Sequence, residues 1–206
     1  MTTRVLALVR HGESQGNLDN RFTGCLDLPL TPQGEAQARL AGGRLQSLGI
    51  DFIHLHTSTL ARAVLSGKLL RESLAIGEDQ IYVATELRER DYGQLTGMNK
   101  MEAQRRWGSD KVQLWRRSYA ETPPGGESLR DTVARVVVYY LGRILPGILR
   151  GEPTVVVAHG NSLRALVMAI EQLSALQIES LEISTGEIIL YQFAADATVG
   201  EKHTFS

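Results

Sequence analysis

The 206-residue chain has a single cysteine, Cys25, so no disulfide can form within it, and this composition fits a reducing compartment. Neither sign of charge is in excess. The 22 Lys and Arg stand against 23 Asp and Glu, for a formal net charge of −1 at pH 7. A nucleic-acid coat or a membrane-surface binder needs a strong basic balance, so neither class fits. An anionic small molecule would have to be met by a local cluster of cations. Long hydrophobic runs are also missing. The best stretch, residues 133–149, is interrupted by Arg135, Arg143 and Pro146, and falls short of the roughly 18 unbroken apolar residues that a membrane span needs. Met1-Thr2-Thr3-Arg4 carries no signal-peptide pattern. These absences lead us to expect a soluble, cytoplasmic protein with no nucleic-acid or membrane partner.

Other absences concern chemistry. The sequence has no low-complexity tract and no repeat of solenoid period. It has no Gly-x-x-x-x-Gly-Lys-Ser/Thr phosphate loop and no Gly-x-Gly-x-x-Gly dinucleotide fingerprint. His54 and His56 fall at i and i+2, on one face of a strand, but no Cys or carboxylate cluster lies nearby, so ordinary strand histidines are expected. No metal is expected, and phosphoryl chemistry would have to proceed without one.

What is present is an alternation of strand and helix patterns. Apolar runs at 5–9, 51–56, 81–84, 154–158 and 187–193 read as strands. Between them, Thr31 and Pro32 start a helix that runs to about Leu48 with Gly49 as its stop. Thr57-Ser58-Thr59 caps a helix over 60–74, and one helix is expected over 100–118. A long amphipathic helix covers 127–149, with Leu129, Val133, Val136, Val137, Tyr140 and Ile144 at core spacing and Pro146 as a kink or stop. Helices over 161–173 and 176–181 follow, and residues 200–206 read as a loose tail. The alternation predicts an α/β protein, a three-layer α/β/α sandwich with a mostly parallel central sheet, in one domain spanning 1–206.

Two strands end alike. The run 5–9 leads into Arg10-His11-Gly12, and the run 154–158 into His159-Gly160-Asn161. Ligands of open α/β sheets bind at the carboxyl ends of strands. If the two strands are neighbours, His11 and His159 face each other across one pocket. Glycine after each histidine lets main-chain amides approach an anion. Arg62 falls in the first turn of its helix, where the helix terminus already favours anions. The loop 12–29 is long and polar, as functional loops are. The charged stretch 86–100 offers Glu89, Arg90, Tyr92 and Lys100, and Trp115-Arg116-Arg117 precedes a Pro-Pro-Gly-Gly breaker that can turn both arginines towards one ligand.

A neutral imidazole is a good nucleophile near pH 7. Attack on a phosphate monoester without Mg²⁺ needs Arg, His and main-chain N–H groups to neutralise the phosphoryl oxygens, and an acid to protonate the alkoxide leaving group.

Leu8-Val-Arg-His-Gly-Glu-Ser-x-x-Asn17 followed by Arg21-Phe-Thr-Gly24 resembles the histidine phosphatase superfamily and, within it, the cofactor-dependent phosphoglycerate mutase branch. The resemblance covers nearly the whole chain. It implies His11 as the phosphorylated nucleophile, Glu89 as proton donor and acceptor, and Arg10, Arg62 and His159 as phosphate contacts. It also implies a site lined by Ser14, Asn17, Thr23, Gly24, Arg90, Tyr92, Lys100, Arg116, Arg117, Gly160 and Asn161. The cofactor it implies is 2,3-bisphosphoglycerate, which primes the enzyme, and the partner is a small phosphorylated metabolite. General phosphatases of the superfamily share the His–Arg core, so a phosphatase acting on a small phosphomonoester is the alternative; Lys100, Arg116 and Arg117 speak for the mutase. A non-catalytic phosphoprotein-binding module ranks below both, because nucleophile and acid are present. The sequence departs from the mutase pattern at Asp91, where His is usual, at Cys25, where an aromatic is common, and in a short 122–127 segment and tail. In longer relatives those last regions cover the site and build subunit contacts; a homodimer is the assembly allowed for.

Overall fold

The computed structural model describes residues 3–206. One six-stranded sheet, in the order β3-β2-β4-β1-β5-β6, gathers strands from along the chain: β1 (Val5–Arg10), β2 (His54–Ser58), β3 (Ile81–Ala84), β4 (Thr154–Ala158), β5 (Ile188–Phe193) and β6 (Val199–Phe205). The pairs β1–β4, β2–β4 and β2–β3 are parallel, while β5 and β6 add antiparallel at one edge. The mostly parallel α/β sandwich expected from the alternation is the fold observed.

Side chains of a strand alternate between its faces. Leu6 and Leu8 of β1 join one apolar cluster with Val156, Val136 and Leu166. Val5, Ala7 and Val9 join a second cluster with Val155, Val157, Ala41 and Leu45 on the opposite face. Helices cover both sides, so β4 is buried throughout and β1 from Val5 to Val9, with Arg10 at its end half-buried. Each fully buried Leu or Val contributes about 1.5–3 kcal/mol relative to exposure, which is why these two strands read as unbroken apolar runs.

Several helices begin where the sequence signals them. The helix α2 (Pro32–Ser47) follows α1 (Gln15–Leu18), a short turn in the loop 12–29. The Thr31 side chain caps α2 by accepting the Gly34 N–H, and Gly49 beyond its end has φ of +66°. Other boundaries differ from expectation. Thr57 and Ser58 belong to β2 rather than to a helix cap, and α3 (Ala61–Arg71) starts from Leu60, whose N–H donates to Ser58 Oγ. The single helix expected over 100–118 is broken at Gly108, φ +88°, into α4 (Lys100–Trp107) and α5 (Ser109–Arg117).

The long helix is α6 (Leu129–Tyr139), a π-helical turn at Tyr140–Ile144, and α7 (Leu145–Arg150). Pro146 sits in the first turn of α7, directly after the π-helical turn, and the helical segment runs on past it to Arg150 rather than ending there. By length and composition Leu129–Arg150 could cross a membrane; here Val136, Tyr140 and Ile144 pack into the sheet core. After α8 (Gly160–Glu171) and α9 (Ala175–Ser180) the chain ends in β5 and β6. The tail 200–206 is therefore not loose. It pairs along β5, from Ile188 with Phe205 to Phe193 with Val199. Its exposed Glu201, Lys202 and His203 hid the strand, yet such residues are what keeps an edge strand from pairing further.

Candidate active site

Arg10 of β1 stands in register with Ala158 of β4, and the His11 N–H donates to the Ala158 carbonyl at 3.0 Å. Both strands thus release their next residue at one place. The His11 and His159 rings lie edge to face, centroids 4.9 Å apart at 62°, and both are buried. Gly12 admits this turn because a Cβ there would come within 1.9 Å of the Gly34 carbonyl oxygen.

The Nδ1 of His11 lies 2.7 Å from the Gly12 carbonyl. A carbonyl only accepts, so Nδ1 carries the ring proton and Nε2 holds the lone pair. Burial, reinforced by Arg62 and Arg10, pushes the His11 pKa well below its ordinary value. The ring is therefore neutral with Nε2 free to attack, the state a nucleophile needs. His159 is likewise kept neutral, by burial first and by His11, Arg62 and Arg10 after it. Its Nε2 lies 2.6 Å from Ser58 Oγ. That hydroxyl accepts from Leu60 and keeps one hydrogen of its own; in the tautomer that receives this hydrogen on Nε2, the His159 ring proton sits on Nδ1.

Two arginines flank the pair. Arg62 is fully buried and donates through Nη1 to Leu26 and through Nη2 to Gly24 carbonyls, at 2.6 and 2.9 Å. Arg10 donates through Nη1 to the Ile183 carbonyl at 2.6 Å. Arg10 Nε, Arg62 Nε and His159 Nδ1 are buried and, among the described residues, have no hydrogen-bond partner. A buried donor left unpaired costs about 1–3 kcal/mol. A bound oxyanion supplies the missing acceptors.

Arg10 also lines a cleft of about 260 Å³, whose lining does not include the buried His11, Arg62 and His159. Arg10, Glu89 and Gly160 meet at its base, where a Cβ on Gly160 would sit 3.7 Å from Glu89 Oε2 and 3.8 Å from Arg10 Cζ. Glu89 Oε1 accepts the main-chain N–H groups of Arg90 and Asn161, at 2.7 and 3.2 Å. Lys100, Arg116 and Arg117 form the upper wall. Burial and Arg116 lower the pKa of both Lys100 and Arg117, so these cations stand close enough to repel one another. Arg117 contacts Glu182. Asn17, Thr23, Tyr92 and Asn161 also line the cleft, as do Arg21, Arg164 and Glu182, with the Asn161 amide donating to Tyr92 Oη at 3.1 Å.

Three residues grouped with the ligand contacts on sequence lie elsewhere. The Ser14 side chain is turned to Asn17 Oδ1, 2.8 Å away. Gly24 offers its carbonyl to Arg62 and reaches the site only through it. Arg90 points inward, donating to the Trp115 and Arg116 carbonyls at 2.7 and 3.2 Å, with its guanidinium 4.7 Å from the Tyr92 ring centroid. Helix ends leave carbonyls without partners, and α5 draws Arg90 to its own. The two departures from pattern are accommodated locally. Asp91 Oδ1 accepts from the Gly93 N–H, and the Cys25 thiol faces the Glu89 carbonyl at 3.7 Å.

Sequence reading missed Ser58, the Ile183 carbonyl and Arg164. Only Arg164 carried a signal: a lone cation inside the otherwise apolar Leu163–Val167 run of α8. His54 and His56 are spent elsewhere, on Glu152 and on the Tyr139 hydroxyl.

Comparison with known proteins agrees with this geometry. The family model for the histidine phosphatase superfamily (branch 1) matches residues 6–204. A protein of Azorhizobium caulinodans named 2,3-bisphosphoglycerate-dependent phosphoglycerate mutase is 52% identical over 199 residues, 97% of each chain. One of the same name from Xanthobacter autotrophicus is 51% identical over 205 residues, 98% of each. Among solved structures, a mycobacterial glucosyl-3-phosphoglycerate phosphatase in complex with VO3 superposes with a TM-score of 0.78 at 26% identity, covering 91% of this chain and 92% of its own. Bacillus stearothermophilus YhfR shares the fold, with a TM-score of 0.83 at 24% identity over 95% and 94% of the two chains.

Proposed function

The chain belongs to branch 1 of the histidine phosphatase superfamily, and from that membership we propose that it is a 2,3-bisphosphoglycerate-dependent phosphoglycerate mutase, interconverting 3-phosphoglycerate and 2-phosphoglycerate in glycolysis and gluconeogenesis. The observation that carries the reading is the second group of cations, Lys100, Arg116 and Arg117, which line the same cleft as Arg10 and Glu89. A simple phosphomonoester has no use for it; a substrate with a carboxylate and a second phosphate does. The relatives that are about half identical over nearly their whole length bear the mutase name.

In this reading His11 Nε2 takes a phosphoryl group from 2,3-bisphosphoglycerate, whose oxygens are held by Arg10, Arg62 and the Nδ1–H of His159. Phospho-His11 then donates to the free hydroxyl of a monophosphoglycerate, Glu89 taking that proton. The bisphosphate so formed turns over in the cleft, its other phosphate returns to His11, and Glu89 gives the proton back to the departing alkoxide. The cationic side chains supply the charge neutralisation, so no metal is assigned and chelators should leave the rate unchanged.

We read the chain as one cytoplasmic domain, since strands from residues 5 to 205 share one sheet. A homodimer is the assembly allowed for, and Tyr82 and Val83 are exposed on the edge strand β3. The second reading is a phosphatase, favoured by the likeness to the mycobacterial phosphatase. A coupled assay with 3-phosphoglycerate, run with and without catalytic 2,3-bisphosphoglycerate, decides between them. Isomerisation that depends on the bisphosphate supports the mutase, whereas release of inorganic phosphate alone supports the phosphatase.

A further inference from the structure

The carboxyl end of α5 is held in an unusual way. Helix ends leave their last carbonyls unpaired and partly negative. Here three consecutive ones, at Trp115, Arg116 and Arg117, receive buried guanidinium groups. Arg90 donates to the first two. Arg164 of α8 donates through Nη2 to the third at 3.1 Å.

Arg164 does more than cap. It is only 4% exposed. Its Nη2 also reaches the Ile178 carbonyl of α9 at 2.7 Å, and its Nη1 reaches Asn161 Oδ1 at 2.9 Å. One planar fork therefore ties the α5 end, which carries Arg116 and Arg117, to α9, whose continuation carries Glu182 and Ile183 on the other wall of the cleft, and to Asn161. Burying a guanidinium is expensive unless its donors are used. Lysine could not satisfy these acceptors, because its ammonium lacks the rigid fork.

We infer that Arg164 is a positioning residue that aims Arg116 and Arg117 into the cleft, and so sets the preference for a substrate with a carboxylate and a second phosphate over a simple phosphomonoester. The inference rests on the mutase reading for the identity of that substrate. Arg164 acts through the α5 main chain; it also lines the cleft, and its contact with Asn161 is, among the described residues, its one link towards Glu89.

The test compares wild type, Arg164→Lys, Arg164→Met, Arg117→Ala and the double variant Arg164→Lys/Arg117→Ala, each checked by circular dichroism. Misaligned contacts can cost about 10²-fold even when the mutation is remote from the chemistry. Arg164→Lys should raise KM for 3-phosphoglycerate by about that factor. Its release of nitrophenolate from p-nitrophenyl phosphate, which has no carboxylate or second phosphate for Arg116 and Arg117 to meet, should fall much less. The double variant should lose less than the two single losses combined, because part of the effect of Arg164 passes through Arg117. If Arg164→Met does not fold, Arg164→Lys carries the same comparison. Equal losses on both substrates, or additive losses in the double variant, overturn the inference. A wild type that binds 3-phosphoglycerate by calorimetry without isomerising it, with binding weakened selectively in Arg164→Lys, overturns the mutase reading and leaves the positioning role standing. A wild type that isomerises it, with Arg164→Lys indistinguishable, does the reverse.

Discussion

The Nδ1 of His11 is tied to the carbonyl of Gly12, the very next residue, at 2.7 Å. This short loop back onto its own backbone decides which nitrogen is the nucleophile. Incubation with 2,3-bisphosphoglycerate should therefore phosphorylate His11 at Nε2 and not at Nδ1. The phosphoramidate should be labile in acid and survive in base. ³¹P and ¹⁵N spectra distinguish the two isomers; label on Nδ1, or label persisting in His11→Ala, would contradict the geometry.

Burial also fixes a pH dependence. His11 and His159 have pKa values held well below the ordinary 6.5, and burial together with His54 brings His56 down to about 4. All three imidazoles are neutral in the folded protein and take up protons when it unfolds. Below about pH 6.5 the unfolded chain binds more protons, so stability falls as pH falls. The slope is roughly 1.4 kcal/mol per pH unit for each such histidine. For His56 the loss runs from about 6.5 down to about 4. Urea unfolding at pH 7, 6 and 5 should show the midpoint dropping, with a shallower drop in His56→Gln. A midpoint that is flat or rises towards pH 5 would refute this.

Much of this was legible in the sequence, and the reasons for the rest are specific. His11 and His159 were visible because each ends an apolar run; that β1 and β4 are neighbours, which the sequence left as a condition, is seen in their parallel pairing. The Thr31–Pro32 start of α2 was visible because capping is local chemistry. Ser58 was read as a helix cap because Ser and Thr favour caps; tertiary contact with His159 Nε2 gave it another partner. Strand β6 was missed because an exposed edge strand shows no apolar alternation. The roles of Arg90 and Arg164 depend on carbonyls about 25 and 47 residues away, and no spacing rule reports those.

The loop that carries His11 is interlocked with the start of α2. A Cβ on Gly34 would lie 2.0 Å from the Glu13 carbonyl oxygen, and all of the nearest atoms are main chain. Gly34→Ala must shift one backbone against the other. Overpacking of this kind typically costs about 1–3 kcal/mol. The variant should melt lower and also phosphorylate His11 more slowly, since Gly12 moves with its partner. Gly43→Ala, on the same helix with nothing within 4 Å, should do neither. Equal melting temperatures for both variants would count against the interlock.

The upper wall predicts a split between substrates. Lys100, Arg116 and Arg117 repel one another, and an anion with two separated charges would offset that repulsion. Arg116→Ala and Arg117→Ala should each cut mutase kcat/KM far more than hydrolysis of a small monophosphate. Hydrogen bonds to charged groups are worth about 1.5–3 kcal/mol each, so the loss should be roughly 10–10²-fold. Equal losses on both substrates would transfer support to the phosphatase.

Glu89 is held by main-chain N–H groups of Arg90 and Asn161, and no salt bridge to an arginine side chain involves it among the described residues. Its second oxygen is left on the side of Arg10 and Gly160, over the floor of the cleft. A carboxylate serving only to lock the loop would be spent on its neighbours; this one keeps an oxygen for the ligand. If that oxygen moves a proton, the cost of removing it must follow the leaving group's need for one. The alkoxide of a phosphoglycerate needs a proton. A nitrophenolate hardly does. General acid catalysis is typically worth about 10²–10⁴-fold, so Glu89→Gln should lose mutase activity by that factor. Phosphorylation of His11 by p-nitrophenyl phosphate should fall much less. Gln keeps the shape and one acceptor for the two N–H groups, so the loop stays in place and circular dichroism should be unchanged. Parallel losses on both substrates in a folded Glu89→Gln enzyme would show that the residue shapes the site without transferring the proton.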